Sequence, residues 1–217
     1  MSKNLCKDLV IYDLDGTLVD SAVTVTTVLN VLRRNQSKSL LSAEHVRPLT
    51  SLGGHELIRQ TMGCTDQEVD TYLNEFRRLY AETEICPNTL FPQVTEVLER
   101  LKIAGCRLAI CTNKPRDLAE KTLGAVEILD HFDYVLCCDE ASRNKPAPDP
   151  VIKILKNFDL LSDRACFIGD SEADLLAARS SGVAFIFYDS GYDRRMTTRK
   201  GLNVIKSHLP SLKYILN

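Results

Sequence analysis

Five short runs of the chain are apolar almost from end to end: DLVIYD (8–13), CRLAICT (106–112), DYVLCCD (133–139), ACFIGD (165–170) and VAFIFY (183–188). A strand with one wet face alternates apolar and polar residues, whereas a strand covered on both faces does not. These runs are therefore expected to be buried parallel strands. Between them lie segments of helical period, VTEVLERLKIAG (94–105), KPRDLAEKTLGA (114–125), PVIKILKNF (150–158) and SEADLLAARSSG (171–182). Strand and helix in alternation predict an α/β fold, a doubly wound and mainly parallel sheet.

Residues 18–84 break that rhythm. AVTVTTVLNVLRR, GGHELIRQTM and QEVDTYLNEFRRLYAE carry i, i+3, i+4 apolar spacing with no apolar strand among them, as in a small helical bundle. The expected organisation is a core of residues 1–17 and 85–217 with a small α-helical domain, 18–84, inserted after the first strand. A length of 217 residues fits that plan, at roughly 150 residues per domain. With 44% hydrophobic residues, 26% charged and a net charge of −2, disorder and broad nucleic-acid binding are not expected. No run approaches the ~18 apolar residues of a membrane span, and MSKNLCKDLV holds no apolar block of signal-peptide length. A cytoplasmic protein without membrane or nucleic-acid partners is expected. The eight cysteines include no C-x-x-C pair, and Cys106, Cys111, Cys137, Cys138 and Cys166 sit in apolar runs, as reduced core residues do.

Ligands of open α/β sheets bind beyond the carboxyl ends of the strands. Polar residues there are Asp13, Asp15, Thr112, Asn113, Asp139 and Asp170. Asp13, Asp15 and Asp170 would crowd three carboxylates at one edge, where each resists ionising without a cation. Mg²⁺ resolves this, because it takes oxygen ligands and uses few carboxylates alongside substrate phosphate. Each signal has a plainer reading. Asp15-Gly16 suits a hairpin turn, although the helical spacing that follows opposes it. Ser171 to Asp174 resembles a capping box. Thr112-Asn113-Lys114-Pro115 either holds an anion at a helix start or merely caps that helix. Lys145, in a loop stiffened by Pro146 and Pro148, either turns inward or faces water.

In order along the chain, Asp13-Leu14-Asp15-Gly16-Thr17, Thr112-Asn113-Lys114, Lys145-Pro146-Ala147-Pro148 and Gly169-Asp170-Ser171-Glu172-Ala173-Asp174 resemble the four motifs of the haloacid dehalogenase superfamily of phosphohydrolases. DLDGTLVDS, CTNKP, KPAPDP, GDSEADLLAARSSG and Gly191-Tyr192 are most similar to its phosphoglycolate phosphatase branch, and the insertion sits where that family carries a helical cap. The resemblance implies a Mg²⁺-dependent phosphohydrolase acting on a small phosphorylated metabolite, with 2-phosphoglycolate first. It implies Asp13 as nucleophile forming an aspartyl-phosphate, Asp15 as proton donor and then acceptor, and Thr17 as the residue orienting Asp15. Mg²⁺ would be held by Asp13, the Asp15 carbonyl and Asp170. Thr112, Asn113 and Lys145 would bind phosphate, and Asp174 would position Lys145 or a metal-bound water. Phe91-Pro92-Gln93 departs from the branch's usual Pro-Gly at the cap hinge.

Two other outcomes stay open: transfer to a sugar hydroxyl, as in the β-phosphoglucomutase type, and a pyrophosphatase or nucleotidase of the same superfamily. Phosphonate cleavage would need a cap lysine, and Lys38 stands in a polar loop. Arg47, His55, Glu56 and Arg59 are polar cap residues within reach of a substrate, though each singly fits a solvated helix face. His45, His131 and His208 lack partners at ligand spacing and are expected at the surface or in caps. The basic stretch GYDRRMTTRKGLN (191–203) is too short for a nucleic-acid surface. Whether the protein is a monomer or a homodimer is left open by the sequence.

Overall fold

The computed structural model describes residues 7–50, 52–193, 196, 198 and 200–216. Among the described residues six strands form a single sheet in the order β3-β2-β1-β4-β5-β6, every neighbouring pair parallel. They are β1 (Leu9–Tyr12), β2 (Arg107–Cys111), β3 (Tyr134–Leu136), β4 (Ala165–Gly169), β5 (Ala184–Tyr188) and β6 (Asn203–Ile205). The five apolar runs supply the first five. β6 was not anticipated: only Ile205 of its three residues is buried, so it lacks the continuous apolar signal.

The sheet is covered on both sides, which explains why its strands do not alternate in polarity. Val10, Tyr12, Leu108, Ile110, Cys166, Ile168 and Ile186 share one cluster with α5 (Val94–Ile103), α6 (Arg116–Ala125) and α9 (Ser211–Leu216). Leu9, Ile11, Ala109, Cys111, Phe167 and Phe187 pack on the other face against α7 (Asp149–Phe158) and α8 (Glu172–Ser180). Burying each such Val, Leu, Ile or Phe stabilises the fold by about 1.5–3 kcal/mol. Cys106, Cys111, Cys137 and Cys166 are buried free thiols in these layers, and Cys138 is half-buried. Burial pushes the Cys111, Cys137 and Cys166 thiols up to about 12, so they behave as small hydrophobes. Cys6 lies outside the described residues.

Between β1 and β2 the chain forms α1 (Ala22–Asn35), α2 (Ala43–Thr50), α3 (Gly54–Met62) and α4 (Asp66–Glu82). They have a hydrophobic cluster of their own, built on Val28, Leu29, Val46, Ile58, Met62 and Tyr80, which Leu118 of α6 joins. Helices α1, α3 and α4 occupy the three periodic segments. α2 was not foreseen, since Pro48 lies inside it and Val46 is its only buried residue. The chain leaves the sheet and returns to it side by side: the Asp20 N–H donates to the Thr89 carbonyl at 2.7 Å and the Phe91 N–H to the Leu18 carbonyl at 2.9 Å. Among the described residues no helix is long and apolar enough to cross a membrane.

Candidate active site

The strand order places the topological switch point at β1, since the chain moves outward through β2 and β3 and then crosses back to β4. The carboxyl ends flanking that point are where such sheets bind ligands. Tyr12 lies opposite Ile110 on one side and Ile168 on the other. The residues that follow these positions, Asp13, Thr112 and Asp170, therefore share one edge. Asp13, Asp15, Thr112, Asn113, Lys114 and Lys145 line one cavity of about 110 Å³, roofed by the helices of the insertion. That volume suits a small metabolite and excludes a macromolecule.

Lys145 sits at its floor. Its Nζ donates to Asp13 Oδ1 at 2.8 Å and to Asp174 Oδ1 at 2.7 Å. Burial alone would lower the lysine pKa, yet the Asp13 and Asp174 carboxylates raise it above the ordinary value, so the ammonium stays charged. Asp174 makes two sets of contacts. One oxygen holds Lys145, while the other accepts from the Ser171 hydroxyl at 2.6 Å and from the Ser171 N–H at 3.1 Å, completing a capping box on α8.

Asp170 is fully buried and accepts from the Tyr192 N–H at 2.6 Å and the Thr17 hydroxyl at 3.1 Å. Thr17 thus orients Asp170, correcting the expectation that it orients Asp15: its hydroxyl meets the β4 end rather than the neighbouring loop. Gly16 makes that approach possible, with φ +86 and a position where a Cβ would stand 2.5 Å from Asp170 Oδ2. Burial pushes the Asp13 carboxyl up to about 7, the Asp174 charge adding to this and Lys145 opposing it. Burial, with Asp13 and Asp174 beside it, raises Asp170 well above the ordinary carboxylate range. Oxygens of Asp13, Asp170 and Asp174 lie within 4.8 Å of one another. Three buried carboxylates, two of them bonded to one ammonium, make a donor set that fits a hard divalent cation.

Thr112 Oγ1 accepts from the Lys114 N–H at 3.1 Å. The Asn113 amide donates to the Lys145 carbonyl at 3.0 Å, keeping one amide hydrogen for a ligand. Neither residue caps α6. Its first amide is instead accepted by Asp139, which is exposed at 3.2 Å from the Arg116 nitrogen and does not line the cavity.

Other side chains depart from the sequence reading. Lys114 was part of a motif but had no assigned role. It is buried, donates to the Asp15 carboxylate at 2.8 and 3.1 Å and stands 4.7 Å from the centre of the Tyr80 ring on α4. It therefore ties Asp15 to the helical insertion. His208 is not a surface residue. It is fully buried, its Nε2 lies 2.9 Å from the Thr17 carbonyl and its ring stacks on Tyr188 at 4.6 Å. Among the polar insertion residues, Arg47 pairs with Asp20, His55 with Asp70, and Arg59 with Glu56 and Asp66. None of them lines the cavity, in keeping with a solvated helix face. Lys38 donates to the Met62 carbonyl, away from the cavity. The insertion presents Ser21, Thr50, Arg77 and Tyr80 instead; a helix position i, i+4, i+7 with Leu73 and Tyr80 was the one sequence signal for Arg77.

A parallel α/β sheet with paired aspartates at its switch point and a buried lysine bridging two carboxylates defines the class, and the family model described as haloacid dehalogenase-like hydrolase matches residues 10–188. The chain belongs to that family. Within it, the sequence is 34% identical over 188 residues to a phosphoglycolate phosphatase of Rhodobacter capsulatus, covering 84% of each chain. It is 32% identical over 190 residues to that of Nitrosospira multiformis, covering 85% of this chain and 84% of the relative. The crystal structure of a predicted phosphoglycolate phosphatase from Haemophilus somnus superposes with a TM-score of 0.85 at 26% identity, covering 98% of this chain and 99% of that one. CbbY from Rhodobacter sphaeroides, solved in complex with phosphate, shares the fold at a TM-score of 0.73 and 24% identity over 93% of this chain and 95% of its own.

Proposed function

We propose that the protein is a Mg²⁺-dependent phosphohydrolase that cleaves a small phosphorylated metabolite through an aspartyl-phosphate on Asp13, with 2-phosphoglycolate as the first substrate to test. The observation that carries this reading is the buried Lys145, held 2.8 Å from Asp13 beside the fully buried Asp170. A carboxylate nucleophile at the floor of a small cavity, next to a fixed positive charge, suits attack on a phosphate dianion. The names of the relatives supply the substrate candidate.

In the first step an Asp13 oxygen attacks phosphorus in line. The bond to the leaving oxygen breaks, and Asp15, turning from Lys114, gives that oxygen its proton. In the second, Asp15 takes a proton from water, the water oxygen attacks the same phosphorus, and the Asp13 carboxylate and inorganic phosphate are released. Lys145, the Thr112 hydroxyl and the free Asn113 amide hydrogen hold the phosphoryl oxygens as charge spreads over them. Asp13, the Asp15 carbonyl and Asp170 would hold Mg²⁺, which when bound screens the nucleophile from the phosphate charge. In this reading residues 18–84 act as a cap over a core of residues 1–17 and 85–217, so the alcohol part of the substrate meets α1 to α4.

The test is phosphate release from a panel of small esters with Mg²⁺ and with EDTA, for the parent chain and for Asp13→Asn. Release is expected from the parent only with the metal, and none above background from the variant. Turnover by Asp13→Asn, or release that persists under complete chelation, overturns the reading.

A further inference from the structure

Four of the six arginines of the helical insertion have hydrogen-bond or ion-pair partners. Arg47, Arg59 and Arg78 pair with carboxylates, Arg78 with both Glu75 and Glu82, and Arg33 donates to the Ser39 and Thr61 carbonyls. Arg34 is exposed. Arg77 differs from all of them. It is half-buried, lines the cavity that holds Asp13 and Asp15, and has no hydrogen-bond or ion-pair partner among the described residues.

Its place on α4 fixes what it can reach. Leu73, Arg77 and Tyr80 fall at i, i+4 and i+7, so they share the helix face that walls the cavity. Tyr80 lies one turn further on, roughly 4.5 Å along the helix axis, and its ring touches Lys114, which holds Asp15. A leaving alcohol protonated by Asp15 therefore extends towards the wall that carries Arg77. Around Arg77 the insertion contributes apolar Val25, Leu57, Leu73 and Phe76 and the hydroxyl groups of Ser21, Thr50 and Tyr80, so among the described residues Arg77 is its one charged side chain at the cavity. A guanidinium that lines a cavity without a carboxylate partner has its donors open to a ligand, and a carboxylate or phosphate answers it with paired hydrogen bonds.

We propose that Arg77 is a specificity-determining residue that binds an anionic group, carboxylate or second phosphate, on the leaving alcohol, so that the preferred substrates are small phosphate monoesters carrying a second negative charge. The inference rests on the phosphohydrolase reading and assigns what lies at the far end of its cavity.

The experiment compares kcat/KM for 2-phosphoglycolate, for the uncharged analogue 2-hydroxyethyl phosphate and for ethanediol bisphosphate, in the parent, Arg77→Met, Arg77→Lys and Arg78→Met. The parent should favour the charged esters over the uncharged one, and whichever charged ester it prefers identifies the anion. Arg77→Met should reduce that preference about ten- to hundredfold, the worth of hydrogen bonds to a charged group, mainly through KM of the charged esters. Arg77→Lys should keep part of the preference. Arg78→Met, whose side chain is held by Glu75 and Glu82, should keep all of it. An unchanged preference in Arg77→Met, or equal losses on charged and uncharged esters, overturns the assignment of Arg77. Absence of phosphate release from every ester by the parent overturns the phosphohydrolase reading, and this proposal falls with it.

Discussion

Lys145 is the residue on which the site's charge balance turns, because its ammonium is the buried counter-charge in direct contact with both Asp13 and Asp174. Truncating it leaves two buried carboxylates without that partner, a change that typically costs about 3–5 kcal/mol. Lys145→Ala should therefore lower kcat/KM by at least about a hundredfold and lower the urea midpoint as well; near-parent values in both would show the pair to be dispensable. A subtler change acts through space alone. A Cβ on Gly191 would stand 2.2 Å from Asp170 Cβ and 2.5 Å from the Gly16 carbonyl oxygen, and backbone on one side leaves no rotamer to escape into. Gly191→Ala should displace Asp170, cutting turnover more than about tenfold and raising the Mg²⁺ concentration that gives half the maximal rate. Gly124→Ala, on α6 with nothing within 4 Å of the added methyl, should leave both unchanged. Asp13, Lys145 and Asp170 were singled out in the sequence by the family motifs they resemble, since the residues alone left Lys145 open between facing inward and facing water. No role was legible for Lys114, Arg77 and His208. A lysine, an arginine or a histidine in a polar stretch looks the same whether it faces water or a cavity, and only the fold supplies Asp15, the open cavity or the Thr17 carbonyl.

The strand and helix signals carried different amounts of information. Continuous apolar runs gave β1, β2, β4 and β5 to within a residue at each end because both faces of those strands are covered, while the run for β3 continues three residues beyond Leu136. α2 and β6 each bury one side chain, too little to imprint a period. The connection into α5 carries backbone strain. Gln93 is the residue before α5 and adopts φ 69, ψ 2 in the left-handed region. That conformation costs a residue with a Cβ about 1–2 kcal/mol. Glycine removes the clash but gives back roughly 0.4–1 kcal/mol through the freedom it adds to the unfolded chain. Gln93→Gly should accordingly stabilise the protein by about 0.5–1 kcal/mol, read as a higher urea midpoint at an unchanged slope. A lower midpoint would mean that the Gln93 side chain supplies a compensating contact.

The C-terminal part of the chain closes the molecule around its first motif, a long-range arrangement that no local pattern announces. β6 extends the sheet, the Lys7 N–H donates to the Ile215 carbonyl at 2.9 Å, and His208 is packed between the Thr17 carbonyl and the Tyr188 ring. With Nε2 at the carbonyl, the imidazole Nδ1 is buried without a hydrogen-bond partner among the described residues, so a second proton there would be an uncompensated charge. Burial accordingly lowers the His208 pKa to about 4, the bond to Thr17 only partly opposing it. The unfolded chain takes up that proton near the ordinary value of about 6.5. Stability from the neutral imidazole is therefore complete above pH 6.5 and is lost as the pH falls towards 4, at about 1.4 kcal/mol per unit, or roughly 3 kcal/mol in all. Asp13 and Asp170 act in the opposite sense, since their folded pKa values are raised and the native state gains protons there first. Comparing parent and His208→Gln across pH 7.5 to 4 cancels that contribution, and glutamine retains a donor for the Thr17 carbonyl. The variant should be the less stable of the two at pH 7.5 and lose the difference as the pH falls, its stability declining less steeply. Parallel curves for the two proteins would show that His208 does not titrate against folding, and that the closure of the chain on its first motif is insensitive to acid.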